Sequence, residues 1–389
     1  MARIYIDAWC VKSDASGMGR YGRGLVPAIV AAAPQHELII LRPASQRGRA
    51  PLVASTMRSA REVFVHRPTA DWATLFARPL LEPIFRRHGR ADLYHSLFHL
   101  LPIGLRQGHF APRCTIISLH DLIWLERDPR AERQRLGAEW LKRFGGVAIP
   151  HALRAADHVI CGSDATSRRA ATWVSSDRRT TVYYGIEEHW FHAPESDEAS
   201  PPYIAAFGVA KAYKNIRCLV RALPLVRLRR PDVRLMLIGG DGGAGDEIRS
   251  SGLSNHVSVS RRLVDDDLRA LISGARVFVV PSLIEGFGLP ALEAMALGTP
   301  LVVSDIDALR EVTADAALRF DPTDARQLAE AILRLLDDDA LRRGVVARGR
   351  ARAAKFTWER TAAGTLAVYE SVLAEKGTGV VSSPVRRSP

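Results

Sequence analysis

A chain of 389 residues, 47% hydrophobic and 25% charged with a mean hydropathy of −0.03, has apolar material for two domain cores and excludes disorder as its main state. No run approaches the roughly 18 uninterrupted apolar residues of a membrane span, and Asp7 and Lys12 interrupt the start before an apolar core of signal-peptide length develops; secretion and membrane spanning are not expected. Residues 1–185 hold 27 of the 54 Lys and Arg but 15 of the 42 Asp and Glu, so the whole +12 excess lies in the first half, as for a chain meeting nucleic acid, an anionic membrane surface or a phosphorylated ligand.

Short apolar runs alternate with longer segments of helical period, the pattern of βα units and parallel sheets. RIYIDA (3–8) reads as a first strand, then a glycine-rich loop and a helix to about Ala33. ELIIL (37–41), EVFVH (62–66), ADLYHS (91–96) and CTIISLH (114–120) read as further strands, and a helical stretch over about 132–156 leads to DHVICGS (157–163) and TTVYYG (180–185). HAPESDEASPP (192–202) is linker chemistry. A second series follows: YIAAFG (203–208), VRLMLIGG (233–240), HVSVS (256–260), ARVFVVPS (275–282), PLVVSD (300–305) and ALRFDP (317–322), with closing helices near 323–338, 340–355 and 357–375. The expected fold is α/β: two doubly wound Rossmann-like domains over 1–190 and 203–356 facing across a cleft, a helix over 357–376 crossing back onto the first domain, and a disordered tail over 377–389. Cys10, Cys114, Cys161 and Cys218 lie far apart with no C-x-x-C pair, and read as reduced thiols packed in or beside strands of a cytoplasmic protein.

The strongest constellation is PSLIEGFGLPALEAMALGTP (281–300). Glu285 and Glu293 stand eight apart around a glycine-rich elbow, and Pro290 suits the first turn of a helix. Gly286 and Gly288 permit close backbone approach, and the helix N-terminus offers free N–H donors to an anion. Glu293 suits a vicinal diol such as ribose, and Glu285 faces whatever lies beyond the phosphates. An amphipathic helix with incidental acids leaves the elbow between them without a reason. KAYKN (211–215) places Lys211 and Lys214, two of only six lysines, after the first strand of the second domain, where a compact charge on phosphate competes with a merely solvated loop.

Other patterns are less specific. GMGRYG (17–22) matches G-x-G-x-x-G, yet the first strand ends about eight residues earlier and the second ends at Arg42, not an acid; this argues against nicotinamide and for backbone N–H groups facing a phosphate, or a tight turn. His120, at a strand end, suits a sugar hydroxyl or phosphate, or a structural role. His95 and His99 are four apart without a carboxylate motif for metal. PLLEPIFRRHGR (79–90) suits an anionic lipid surface or an ordinary core-facing helix. With no nucleic-acid motif, nucleic acid ranks last.

Together these residues resemble the retaining glycosyltransferases of family 4, with the two-Rossmann-domain GT-B fold, and among them bacterial mannosyltransferases of polysaccharide synthesis. The acid pair in EGFGLPALEAMALGTP carries the likeness, with SGMGRYGRGL, HSLFHLLP, LHDLIWLERD, AYKNIRCLVRAL and AALRFDPTDARQLAEAI; it runs from about residue 3 to 375. The resemblance implies sugar transfer from a nucleoside diphosphate donor with retention and without an essential metal or other cofactor. It makes His120 and Glu285 catalytic. Glu293 holds the ribose, Lys214 the diphosphate with Lys211 beside it, and Gly286, Phe287, Gly288 and Leu289 the donor sugar and phosphates. Gly17 and Gly19 close over the phosphates. The family commonly has an Arg near the lysine, where this chain has Ala210 and Tyr213. No carboxylate is placed as a nucleophile, so departure and attack on one face are expected. LHDLIWLERD looks most like users of GDP-mannose, with UDP-sugars the competitor. The expected partners are the donor, a lipid-linked or glycan acceptor and an anionic membrane met peripherally at the inner face of the plasma membrane. The alternatives are a nucleotide-sugar epimerase of the same fold and a non-catalytic nucleotide-sugar or membrane-surface binding module.

Overall fold

The computed structural model describes residues 1–11, 17–54, 57, 59–66, 71–123, 125, 139–194, 202–260 and 265–377. The expected tail beyond 377, the heart of the linker and the start of the helix expected at 132 lie outside them.

The first sheet has seven parallel strands: β1 (Arg3–Asp7), β2 (Glu37–Pro43), β3 (Ala60–Val65), β4 (Leu93–Ser96), β5 (Cys114–Leu119), β6 (His158–Cys161) and β7 (Arg179–Thr181). Their order is β3-β2-β1-β4-β5-β6-β7. Helices α1 (Gly17–Ala32), α2 (Arg78–His88), α3 (Glu139–Ala155) and α4 (Asp164–Ala170) connect them. Ile4, Tyr5 and Ile6 of β1 are wholly buried, as a strand covered on both faces requires. On α2, Leu81 and Phe85 enter the core while Arg86 and Arg87 stay exposed, so most of its apolar stripe faces the sheet. β7 is shorter than TTVYYG suggests. Val182 donates a last bond to the Cys161 carbonyl at 2.9 Å, and the chain then leaves for the second domain.

That domain begins with β8 (Tyr203–Phe207), α5 (Ile216–Arg227), β9 (Arg234–Ile238), α6 (Gly245–Ser250), β10 (Val257–Ser260), α7 (Asp265–Ser273) and β11 (Val277–Val280). α8 (Leu289–Leu297), β12 (Leu301–Ser304), α9 (Asp307–Thr313) and β13 (Leu318–Phe320) complete a parallel sheet of order β10-β9-β8-β11-β12-β13. α10 (Ala325–Asp337) and α11 (Asp339–Ala353) follow. All four cysteines are buried, but Cys218 lies on α5 rather than by a strand, its small thiol packed under a helix.

The last helix, α12 (Trp358–Gly377), returns to the first domain and packs on α1. A Cβ at Gly24 would enter the Trp358 indole, so the glycine lets the two helices approach. A buried polar chain pins the contact: Tyr369 Oη lies 2.6 Å from His95 Nδ1, His95 Nε2 2.8 Å from Ser118 Oγ, and Ser118 Oγ 2.8 Å from Tyr21 Oη. His95 is thereby structural, its ring held neutral by burial with its pKa lowered to about 3. Both chain crossings between domains run side by side, Ile186 N–H donating to the Phe356 carbonyl at 3.2 Å.

Candidate functional site

Each sheet reverses its winding at one point, between β1 and β4 in the first and between β8 and β11 in the second. Ligands of open α/β sheets bind outside the strand ends there. Lys214 follows β8 and Glu285 follows β11, so the second switch point brings them together although 71 residues separate them. Asn215 makes this possible. Its φ of 54° turns the chain sharply, and its Nδ2 donates to the carbonyls of Pro281 at 3.0 Å and Pro322 at 2.8 Å. Leu283 N–H donates to the Tyr213 carbonyl at 2.7 Å. With both loops tied, Lys214 Nζ donates to Glu285 Oε1 at 2.6 Å, and Ser282 Oγ donates to the same oxygen at 2.7 Å. Glu285 is buried and Lys214 half-buried, whereas Lys211 is exposed. The neighbouring Tyr213 is held protonated, chiefly by burial and then by the charge of Glu285.

After Glu285 the elbow turns into α8. Gly288, at φ 102°, adopts a conformation L side chains rarely take, and Pro290 lies in the first helical turn. Ala291 through Leu297 are all buried, Glu293 among them at 2% exposure. Glu293 does not wait open for a ligand. Its Oε1 is in contact with Nη1 of Arg20, which α1 sends across from the first domain, and among the described residues its enclosed Oε2 has no hydrogen-bond partner. Arg20 in turn lies over the Trp190 ring, 5.1 Å from its centroid.

Gly17 and Gly19 stand in the first turn of α1, not in a loop before it; the preceding residues 12–16 lie outside the described set. A Cβ at Gly17 would be 3.7 Å from Leu289 Cδ1, so the amide-rich start of α1 faces the start of α8 across the cleft.

His120 follows β5 and is buried at the cleft. Its Nε2–H donates to the Leu97 carbonyl at 2.9 Å, which leaves Nδ1 to accept from the Tyr184 hydroxyl at 2.6 Å. Burial lowers its pKa to about 4 against the hydrogen bond to Leu97, so the ring is neutral at physiological pH. Both ring nitrogens are therefore engaged by the protein, and a sugar contact through either requires one of these bonds to open. His99 does not join His95 as a metal pair. Among the described residues no group of three or more His, Cys, Asp and Glu is placed to hold a metal ion.

The cleft is closed by contacts that carry no sequence motif. The Gly286 carbonyl accepts from Ser163 Oγ at 2.5 Å and Thr166 Oγ1 at 3.0 Å. A Cβ at Gly286 would overlap the His120 carbonyl, so glycine is required for this approach. Glu311 on α9 accepts from the Asp164 and Ala165 amides at 2.6 and 2.9 Å, capping the N-terminus of α4 from the other domain. Phe287 is buried against Tyr184, ring centroids 4.7 Å apart. Reading the sequence singled out neither Arg20, Asn215 and Tyr184 nor Ser163, Thr166 and Glu311. Asn215 alone had a local signal, as a residue tolerant of left-handed backbone just before a helix.

The arrangement thus offers a lysine and a helix N-terminus for phosphate, a buried carboxylate for hydroxyls, and a second carboxylate beside the phosphate end.

Residues 201–338 match a family model described as glycosyl transferases group 1. The chain is 36% identical to O-antigen chain mannosyltransferase B of Escherichia coli over 177 residues, 43% of this chain and 45% of that protein. It is 36% identical to MMP alpha-(1->4)-mannosyltransferase of Mycolicibacterium hassiacum over 208 residues, 52% of this chain and 50% of that protein. The chain spans about half the length of the curated relatives it matches. Among solved structures, sucrose-phosphate synthase of Thermosynechococcus elongatus superposes with a TM-score of 0.77 at 24% identity, covering 96% of this chain and all of that one. Anabaena HepE in complex with UDP superposes at 0.67 and 16% identity, covering 95% and 100%. The fold is therefore the two-domain GT-B fold.

Proposed function

We propose, from the match of residues 201–338 to the group 1 glycosyl transferase model, that the protein is a retaining glycosyltransferase that moves mannose from GDP-mannose to a lipid-linked or polysaccharide acceptor. The observation that carries this reading is the switch-point set: Lys214 and Glu285 in contact, with Glu293 in the second turn of the helix that follows the elbow. Lys214 and the amides of Gly286, Phe287 and Gly288 neutralise the diphosphate, Leu289 closes that end, and Lys211 adds charge from the rim. Glu293 holds the ribose, and Glu285 the donor sugar. Gly17 and Gly19 bring the first-turn amides of α1 over the phosphates from the other side. His120 meets the sugar once its bond to Tyr184 opens.

The bond from the anomeric carbon to the diphosphate breaks as these groups stabilise the departing oxygen. The acceptor hydroxyl attacks the same face and passes its proton to the departing phosphate, with no metal ion needed. Mannose and a lipid or polysaccharide acceptor are supported by the names of the relatives, an O-antigen chain mannosyltransferase among them. No helix among the described residues is long and apolar enough to cross a membrane. We place the protein in the cytoplasm, its basic first half meeting anionic lipid at the inner face of the plasma membrane.

Thermal shift of the purified chain with GDP- and UDP-sugars, in EDTA, tests the reading. A ligand at 100 times its dissociation constant stabilises by about 2.7 kcal/mol. The expected result is a rise with the GDP series, abolished in Glu293→Ala. A rise with the UDP series alone replaces the base, and no rise with either overturns the donor site.

A further inference from the structure

Arg20 is a buried cation to which the donor site as described gives no task. Its side chain is 12% exposed and contacts Glu293 Oε1 from the opposite domain. The second oxygen of that carboxylate is enclosed and accepts no hydrogen bond from any described residue. A buried carboxylate with an idle acceptor is costly unless a ligand uses it. Two more acids, Asp265 at the start of α7 and Glu187 on the chain crossing, lie near enough for their charges to favour the guanidinium against the effect of burial.

We propose that Arg20 occupies the place of the donor's ribose at Glu293 in the empty protein, and that the vicinal diol of an incoming ribonucleotide displaces it. The inference rests on the reading of Glu293 as the ribose residue. A guanidinium and a vicinal diol both present neighbouring donors to a carboxylate, so one substitutes for the other. With Oε2 enclosed, the diol cannot reach Glu293 while Arg20 stays. The displaced guanidinium keeps the face of Trp190 beneath it and turns toward Asp265 and Glu187, so the exchange strands no buried cation. Because Arg20 belongs to the first domain and Glu293 to the second, the same exchange releases one tie across the cleft as the nucleotide settles on the second domain. Arg20 thus sets a threshold that every nucleotide must exceed, while the preference for ribose over 2′-deoxyribose belongs to Glu293.

Isothermal titration of the full chain with GDP, 2′-deoxy-GDP and guanosine, and with the uridine series in parallel, separates the possibilities. Arg20→Met should bind all three ligands of the recognised series about tenfold more tightly, the scale of one charge-assisted hydrogen bond, with the ribose-to-deoxyribose ratio unchanged. Glu293→Gln should shrink that ratio. Arg20→Lys, which keeps the charge but not the fork, should tighten binding by a smaller factor, and it decides the matter if Arg20→Met does not fold. Unchanged affinity in the Arg20 variants overturns the proposal. Weakened GDP with unchanged guanosine also overturns it, making Arg20 a phosphate ligand. Those outcomes leave the donor site standing; a wild-type chain that binds no nucleotide, or a Glu293→Gln variant that binds like wild type, removes both.

Discussion

Replacing Lys214 with methionine keeps the length and apolar stem of the side chain and removes its charge. At the 2.6 Å separation from Glu285, unit charges in an effective dielectric of about 20 attract by roughly 6 kcal/mol, and desolvation of both groups offsets most of that. The side chains are 18% and 9% exposed, between exposed pairs contributing up to about 1 kcal/mol and buried ones whose disruption costs about 3–5 kcal/mol. Lys214→Met should therefore destabilise the second domain by about 2 kcal/mol, roughly 4–8 °C in Tm for a domain of this size. Its effect on binding should be separate: a loss of about 1.5–3 kcal/mol for GDP, the scale of hydrogen bonds to a charged group, and none for guanosine, which carries no phosphate. The double variant Lys214→Met, Glu285→Gln removes both charges, so about half the lost stability should return while the affinity for GDP does not. Scanning fluorimetry and isothermal titration on both variants measure the two effects. GDP binding within twofold of wild type in the single variant would refute the phosphate role, and a double variant no more stable than the single would refute the ion pair as the source of the stability loss.

Two further outcomes are expected. Glu311→Ala removes the carboxylate that caps α4 from the opposite domain, at a cost of about 1 kcal/mol; small-angle scattering should show a larger radius of gyration with nucleotide affinity unchanged, and an unchanged radius would mean that the other cleft contacts suffice. His95, His99 and His120 are buried and their pKa values lowered, to about 3, 3 and 4. The unfolded chain therefore binds more protons than the folded one below about pH 6.5, and stability falls with acid from there to about pH 3–4, by up to about 1.4 kcal/mol per pH unit for each histidine. It should not vary through these groups between pH 7 and 9. Chemical denaturation across pH measures this, and His95→Gln should flatten the acid limb; an equally steep limb would exclude His95 as a contributor.

Much of the architecture was legible in local pattern. Alternating apolar runs and a Pro- and Ser-rich break show two doubly wound halves, and the spacing of Glu285 and Glu293 around GFGLP marks a helix N-terminus beside two acids, because backbone geometry there is dictated by residues within one turn. Strand ends were less legible: β7 stops at Thr181 because the chain must leave the sheet to cross domains, a demand that Val182–Gly185 do not display.

By itself, then, the sequence determined which segments form strands and helices, where the glycine elbow turns, and which acids and lysines it presents, since these depend on near neighbours in the chain. Only the tertiary structure decided how those groups are paired. Lys214 meets Glu285 because parallel strand order makes β8 and β11 neighbours and Asn215 ties their loops. Arg20 meets Glu293 because the two domains close on each other, and His120 has both nitrogens engaged because the first domain folds Leu97 and Tyr184, distant in the chain, onto it. A buried charge must find its partner wherever packing brings one, and residues 273 positions apart carry no local sign that they will meet.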